Sequence, residues 1–373
     1  NLTKLSVGDL QAEYDGLVTK IAELKAILAD IGKVYAIITT ELEDVKEKFG
    51  KTRQTQITSE AAEMTLEDLI QKEEIVISLS NTGYVKRIPA ATYVAQGRGG
   101  KGITGAEVKE EDFIEHFFVT DTHATLLCFT NRGRVFALKA YEIPEGNRTS
   151  RGKAVVNLLA LTGEEKVTSA IAIRSFDEKK GQETFLAMCT RNGTVKKTPL
   201  LDFENIRRSG IIAITLDEGD VLVEVQHNSG ADEMLIATKG GMAIRFPESD
   251  VRSMGRGAAG VKGIRLDKDD QVIGMESFPA GTKKNLLTVC ENGFGKRTEL
   301  NEYRGQHRGG GGIITIKATD RNGAVLAVKL VTDDDDLMVM TEQGKAIRLR
   351  CKDIKTISRN TQGVRLVRLD ESD

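Results

Sequence analysis

Leu126-Leu127-Cys128-Phe129-Thr130-Asn131-Arg132-Gly133 is an apolar run closed by a tight turn, and its design recurs along the chain. The other copies are ISLSNTG ending at Gly83, LAMCTRNG at Gly193, LIATKGG at Gly241, LTVCENG at Gly293 and VMTEQG at Gly344. A β-forming apolar run, a glycine able to take positive φ and a second short strand, as in Gly83-Tyr84-Val85-Lys86-Arg87, predict a β-hairpin. The glycines stand 50, 60, 48, 52 and 51 residues apart, the period of a propeller blade and not of a helical solenoid. Each unit continues through an irregular Arg/Gly stretch to further strands such as Ile211-Ile212-Ala213-Ile214 and Val364-Arg365-Leu366-Val367. One such unit cannot cover both faces of its sheet. Six arranged radially can, with only short edges exposed.

The repeats also carry charge at fixed places. Fifteen residues after each turn glycine comes an arginine: Arg98, Arg148, Arg208, Arg256, Arg308 and Arg359. Only 24 of the 373 residues are arginine, so chance does not account for six hits at one offset. Four residues after the glycine stand Arg87, Ala137, Lys197, Arg245, Arg297 and Arg348, basic in five of six. Two residues after it stand Val85, Val135, Val195, Ala243, Gly295 and Ala346. Strand alternation puts these two positions on one face, so the basic residue is expected where the strand leaves the core and its stem snorkels outward.

Length and composition agree with a β-rich repeat. A chain of 373 residues with 40% hydrophobic content buries a large core, and the low aromatic content without Trp leaves Val, Ile and Leu to fill it. No 18-residue apolar run and no signal-like start occur, so no membrane association is expected. Cys128, Cys189, Cys290 and Cys351 have neither metal nor redox spacing and read as reduced strand thiols, which predicts a cytoplasmic protein. The net charge of −2 divides unevenly. Residues 1–74 hold 9 Lys/Arg against 15 Asp/Glu, leaving 44 against 40 for residues 75–373, so any attraction to polyanions must come from placement.

The sharpest local feature is Gln96-Gly97-Arg98-Gly99-Gly100-Lys101-Gly102. Its glycines let the backbone approach a surface and turn amides outward, while Arg98 and Lys101 supply charge for phosphates. It is not a nucleotide loop, because no GxGxxG or GxxxxGK[ST] follows a strand and opens a helix. Related stretches hold Arg148, Arg151 and Lys153, then Arg207 and Arg208, then Arg256 and Lys262, then Arg308, with Lys86 beside Arg87 in the first hairpin. A curved track of phosphate contacts explains the set better than one pocket does.

The QGRGGKG heptapeptide, the six blade-sized repeats and Leu66-Glu67-Asp68-Leu69-Ile70 ahead of the first strand resemble the C-terminal DNA-wrapping domain of the DNA gyrase A protein. GYVKR at 83–87, RGKAVVNLL at 151–159, NGTVKKT at 192–198, GVKGIRL at 260–266, NGFGKRT at 292–298 and RNTQGV at 359–364 are similar to that family too, so the likeness covers nearly the whole chain. The family box usually reads QRRGGKG; Gly97 replaces an arginine, which weakens the expected contact. The resemblance implies a mainly β fold, a six-bladed β-pinwheel preceded by a short α-helical segment, whose basic rim bends and chirally wraps duplex DNA. It implies the non-catalytic part of an ATP-dependent type IIA topoisomerase that introduces negative supercoils. The implied partners are the catalytic core of the gyrase A protein and the gyrase B protein in a heterotetramer. ATP and Mg are implied only through other domains and that partner, with no cofactor and no metal in this chain.

Residues 1–50 differ in kind. Leu10, Tyr14, Leu17, Ile21, Leu24 and Leu28 form a helical stripe interrupted near Asp30-Ile31-Gly32-Lys33, and a second stripe runs through Val34, Ile37, Ile38, Leu42, Val45 and Phe49. In the family this is the end of the coiled-coil region. Residues 51–72 read as a linker and 73–373 as the DNA-binding domain; Asp333-Asp334-Asp335-Asp336 reads as a solvated acidic loop. No tyrosine has a cleavage setting and His116, His123, His227 and His307 have no catalytic partner spacing, so the chain by itself is not expected to be an enzyme. Two other readings stand: the corresponding domain of the topoisomerase IV A protein, which generally lacks an intact box, and a propeller scaffold, which would show exposed aromatics instead of repeated arginine.

Overall fold

The structure is a computed structural model, and it describes residues 7–51, 55, 67–92, 114–147, 150–176, 183–340 and 346–369. The chain divides into two compact units at residues 63 and 64. The first is helical: α1 spans Val7–Ala29 and α2 spans Ile31–Phe49. Asp30 separates them because its backbone is extended and its carboxylate accepts the Gly32 amide at 2.9 Å, an N-cap that starts α2 afresh. Leu10, Leu17, Ile21, Leu24, Ile38, Leu42 and Phe49 are all exposed. Among the described residues no helix is long and apolar enough to cross a membrane.

The second unit is built of antiparallel sheets. Five have four strands and the last, Asp336–Met340 with Ala346–Arg350, has two. In blade four the central hairpin is Asp232–Thr238 with Met242–Pro247, the inner edge strand is Val272–Pro279, and the outer edge strand is only Ile313–Ile314. That outer strand comes from the next repeat, and every full blade borrows its fourth strand the same way: Lys153–Ala154 for blade one, Ile211–Ile212 for blade two, Val261–Lys262 for blade three and Val364–Arg365 for blade five. The inner edge strands follow one another side by side, Ile114–Asp121, Val167–Ile173, Leu222–Asn228, Val272–Pro279 and Val325–Val331. Of the six blades expected, the described residues form five complete ones, with only a two-stranded sheet in the sixth repeat.

The Leu126–Phe129 run explains why the blades stack. Leu126 and Cys128 point into a core shared with Ile75, Ile77 and Leu79 of blade one. Leu127 and Phe129 point the other way, into a core with Leu186 and Met188 of blade three. Period-two alternation with both faces apolar is what a strand sandwiched between two sheets requires. Each fully buried Leu, Ile or Phe contributes about 1.5–3 kcal/mol, so the inter-blade cores and not the individual sheets hold the unit together.

The turn glycine fastens the borrowed strand. Gly241 has φ +87°, and its carbonyl accepts the amides of Thr315 at 2.8 Å and Ile316 at 3.3 Å just after the outer strand. A Cβ there would lie 2.4 Å from the Ile316 carbonyl oxygen. Gly133, Gly193 and Gly293 make the same paired acceptance from Ala213 and Ile214, Gly263 and Ile264, and Leu366 and Val367.

Candidate nucleic-acid interface

Four of the five basic residues at the fourth position after the turn glycine, Arg87, Lys197, Arg245 and Arg297, do not snorkel outward. Arg87 Nε donates to the Ile143 carbonyl at 2.7 Å and pairs with Glu145 at 3.6 Å. Arg245 donates to the carbonyls of Leu300 and Tyr303 at 2.8 and 3.2 Å and pairs with Glu233. Arg297, 5% exposed, donates to the Ile354 carbonyl at 2.8 Å and pairs with Asp333. Lys197 lies 3.4 Å from the fully buried Glu248 carboxylate. Each carbonyl partner of the arginines lies in the next repeat, in or just after the short 3₁₀ turn that follows its hairpin, so these side chains staple consecutive repeats. Strand alternation gives the correct strand face, but the connector of the next repeat crosses there and covers it: Arg87, Lys197, Arg245 and Arg297 each form a parallel bridge with it. At the one junction with Ala137 the site is apolar, and Phe203 meets Phe129 edge-on at 6.1 Å. Arg348 is exposed and pairs with Asp336. The acidic run is thus not merely solvated; it supplies partners to Arg297 and Arg348, and Asp335 accepts the Thr332 amide at 2.6 Å.

The Arg/Gly stretches form a belt along the outer strands. Thr215, just after the outer strand of blade two, donates through its hydroxyl to Gly257 at 2.9 Å and through its amide to Ala258 at 3.2 Å. The amides of Gly309 and Arg265 pair with the carbonyls of Gly263 and Gly310 at 2.6 and 2.8 Å, and Lys317 N donates to Thr361 at 2.9 Å. Each loop therefore leans on the outer strand of the blade before it, and the loops of repeats four to six run on without a gap. Arg151, Lys153, Arg207, Arg208 and Lys262 project from this belt and are exposed. Arg151 lies 3.8 Å above the Tyr84 ring, which stiffens it without covering its charge. Arg256 is half-buried in a groove with Asp202, Gly210 and Ile212.

Arg308 and Arg359 are half-buried, and each guanidinium crosses to the preceding blade: Arg308 Nη1 donates to Lys262 O at 3.1 Å and Arg359 Nη1 to Ile314 O at 3.0 Å. The offset-fifteen position thus also ties loop to loop. Gln96, Arg98, Lys101 and Arg148 lie outside the described residues. Lys86 is buried and turns inward to the carbonyls of Asn147 and Ser150 at 3.3 and 2.7 Å. Sequence reasoning missed Arg134, which pairs with Glu165 at 2.9 Å and donates to Ser209 O beside Arg207 and Arg208. It also missed Lys196 and Lys296. The signal for these two was legible, since the third position after the glycine reads Lys86, Phe136, Lys196, Ile244, Lys296 and Ile347.

A second charged cluster sits on the inner strands. Lys329 lies 3.7 Å from Glu224 and 2.9 Å from Glu276, joining blades three, four and five. Burial pushes Glu224 up to about 7 even though Lys329 pulls it down, and burial with the Lys329 charge lowers His116 to about 4. The four cysteines are buried free thiols.

With this geometry in place, comparison with known proteins is specific. The family model for the DNA gyrase C-terminal domain, a β-propeller, matches residues 74–121, 124–174, 184–227, 232–279, 284–332 and 335–373. Its six segments coincide with the five blades and the two-stranded sixth. The DNA gyrase A protein of Clostridium acetobutylicum is 49% identical over 98% of this chain and that of Staphylococcus aureus 43% over 99%. The chain spans less than half of those relatives, 44% and 42% of their length. A crystal structure of the C-terminal domain of DNA topoisomerase IV superposes with TM-score 0.67 at 25% identity, covering 80% of this chain and 90% of that one. A DNA gyrase A C-terminal domain gives 0.65 at 26% identity, covering 80% and 97%. Repeat boundaries, blade architecture and sequence identity along the whole length agree, and this chain belongs to the DNA gyrase C-terminal domain, β-propeller family.

Proposed function

We propose that this chain binds duplex DNA along the belt of Arg/Gly loops, bends it and wraps it with a fixed hand. The observation that supports this is the belt itself: the loops of repeats four to six each pair backbone to backbone with the repeat before, and Arg151, Lys153, Arg207, Arg208 and Lys262 are exposed along the outer strands. Phosphate contacts position a duplex irrespective of sequence. Smoothly bending 20–30 bp by 40–90° costs roughly 1–6 kcal/mol, so attachment spread over several blades holds a curved path that a single strong site would release. Gln96, Arg98, Lys101 and Arg148 are taken as further DNA contacts on the strength of the sequence pattern alone.

In the whole protein this domain acts as the non-catalytic wrapping part of a cytoplasmic, ATP-dependent type IIA topoisomerase that introduces negative supercoils, with ATP and Mg bound elsewhere. The helical unit is the end of a coiled coil leading to the catalytic core of the gyrase A protein, and the gyrase B protein completes a heterotetramer. The corresponding domain of topoisomerase IV is the second reading, supported by the superposition with that protein; the QGRGGKG box favours gyrase. The test is topological. Ligating nicked plasmid in the presence of the full chain and then removing protein should leave positively supercoiled product, whereas product identical to the protein-free control at saturating protein sinks the wrapping reading.

A further inference from the structure

Two ammonium groups lie fully buried directly beneath the belt. Lys196 Nζ donates to the carbonyls of Ala213, at 2.6 Å, and Arg256. Lys296 Nζ donates to the carbonyls of Ser358, at 2.7 Å, and Arg359, and to the Thr361 hydroxyl at 3.1 Å. Lys86 serves the loop of repeat two in the same way. Blades two and four carry Phe136 and Ile244 at this position, and their loops rest on apolar side chains: a Cβ on Gly210 would meet the Phe136 ring at 2.7 Å, and one on Gly310 would meet Ile244 at 3.4 Å. The belt is therefore seated alternately on ammonium groups and on hydrocarbon.

Burying an ammonium costs several kcal/mol unless its charge is compensated. The acceptors of Lys196 and Lys296 are neutral oxygens; Asp202 and Glu302 act on them only through space. A carboxylate at hydrogen-bond distance would have satisfied the ammonium more fully but would also have cancelled its field at the surface. Drawing carbonyls inward leaves the opposite side of the loop to amides and guanidinium groups.

We propose that Lys196 and Lys296 are positioning residues of the DNA interface, holding the carbonyl side of loops 253–260 and 355–363 inward and placing an uncancelled positive charge under the phosphate track. The proposal rests on the DNA-binding reading and adds a proton linkage to it. Burial lowers both ammonium groups to about 8, with Arg256 and Arg359 lowering and Asp202 and Glu302 raising them. Cys290, which also faces Lys296, is pushed up to about 11 by burial. Phosphates overhead favour the charged form. Binding then takes up protons near pH 8, and affinity falls as pH rises through that value.

The test uses the full chain with a linear duplex, and compares native protein with the double variant Lys196→Met, Lys296→Met and with Lys262→Met as an exposed-charge control. In the double variant the amides of Met254, Ala258 and Thr361 should exchange at least about tenfold faster while hairpin amides keep their protection. Its DNA affinity should fall about tenfold, more than in the control, and should lose the pH dependence. Unchanged loop exchange in the folded double variant overturns the positioning role. Native protein that fails to bind duplex removes the DNA reading but leaves loop exchange to judge the lysines. If the double variant does not fold, calorimetry of native binding in buffers of different ionisation enthalpy decides, and no proton uptake near pH 8 overturns the proposal.

Discussion

Arg297 and Ile354 meet at the seam between blade five and the sixth repeat, where Nε of the buried guanidinium donates to the main-chain carbonyl at 2.8 Å. The same side chain reaches exposed Asp333, a pair worth little in solvent, so its contribution lies in satisfying a buried carbonyl. Arg297→Gln should lower unfolding free energy by about 1–3 kcal/mol in urea titrations. Replacing Arg207 and Arg208 by alanine should change stability by less than about 0.5 kcal/mol while weakening DNA binding. Equal stability losses in the two variants would show that the staple does not exist.

Glycine is needed at the turns for two separable reasons. Gly219 has φ +76° with open space around it, so Gly219→Ala tests conformation alone and should cost about 1–2 kcal/mol. Gly241 adds a steric conflict with the Ile316 carbonyl, and Gly241→Ala should cost clearly more, about 3 kcal/mol or above. Equal shifts in denaturation midpoint would mean that the borrowed strand is not held at the turn.

The inner cluster makes stability depend on pH with two opposing signs. His116 is lowered to about 4 from 6.5, so its contribution is full above pH 6.5 and is lost as pH falls through about 4. Glu224 is raised from 4.5 to about 7, so its contribution is full below pH 4.5 and is lost as pH rises through about 7. His116→Asn should flatten the acid limb of a melting-temperature profile, and Glu224→Gln should flatten the fall toward pH 8. Profiles parallel to native protein in both variants would exclude these groups as the source.

Salt should weaken DNA binding steeply. With about two phosphate contacts per repeat, Z is roughly 12 and log K should fall against log salt with a slope near about −11. A slope shallower than about −4 would mean that most repeats do not touch the duplex.

Replacing Arg98 and Lys101 by alanine in the reconstituted whole enzyme should abolish supercoiling and spare relaxation, since no cleavage chemistry is assigned to this chain. Parallel loss of both activities would place a different role in the box.

The amino-acid sequence by itself determined the repeat, the hairpins and the need for neighbours on both sides. Leu126-Leu127-Cys128-Phe129 is apolar at every position, so neither face of its strand can meet water, and Gly133 marks the turn whatever surrounds it. It also marked the exposed cations of the belt, Arg151, Lys153, Arg207, Arg208 and Lys262. Only the tertiary structure decided which strand closes each blade and which cations are consumed in doing so. Arg87, Arg245 and Arg297 bond carbonyls 55 to 58 residues away, on connectors whose sequence has no periodicity to announce their path. Alternation along a strand tells which side a residue takes; what lies across from it is set by the register of the next repeat. Lys196 shows the same limit. The repeat position of this residue is legible, but only the loop carbonyls gathered above it make burial of its ammonium possible.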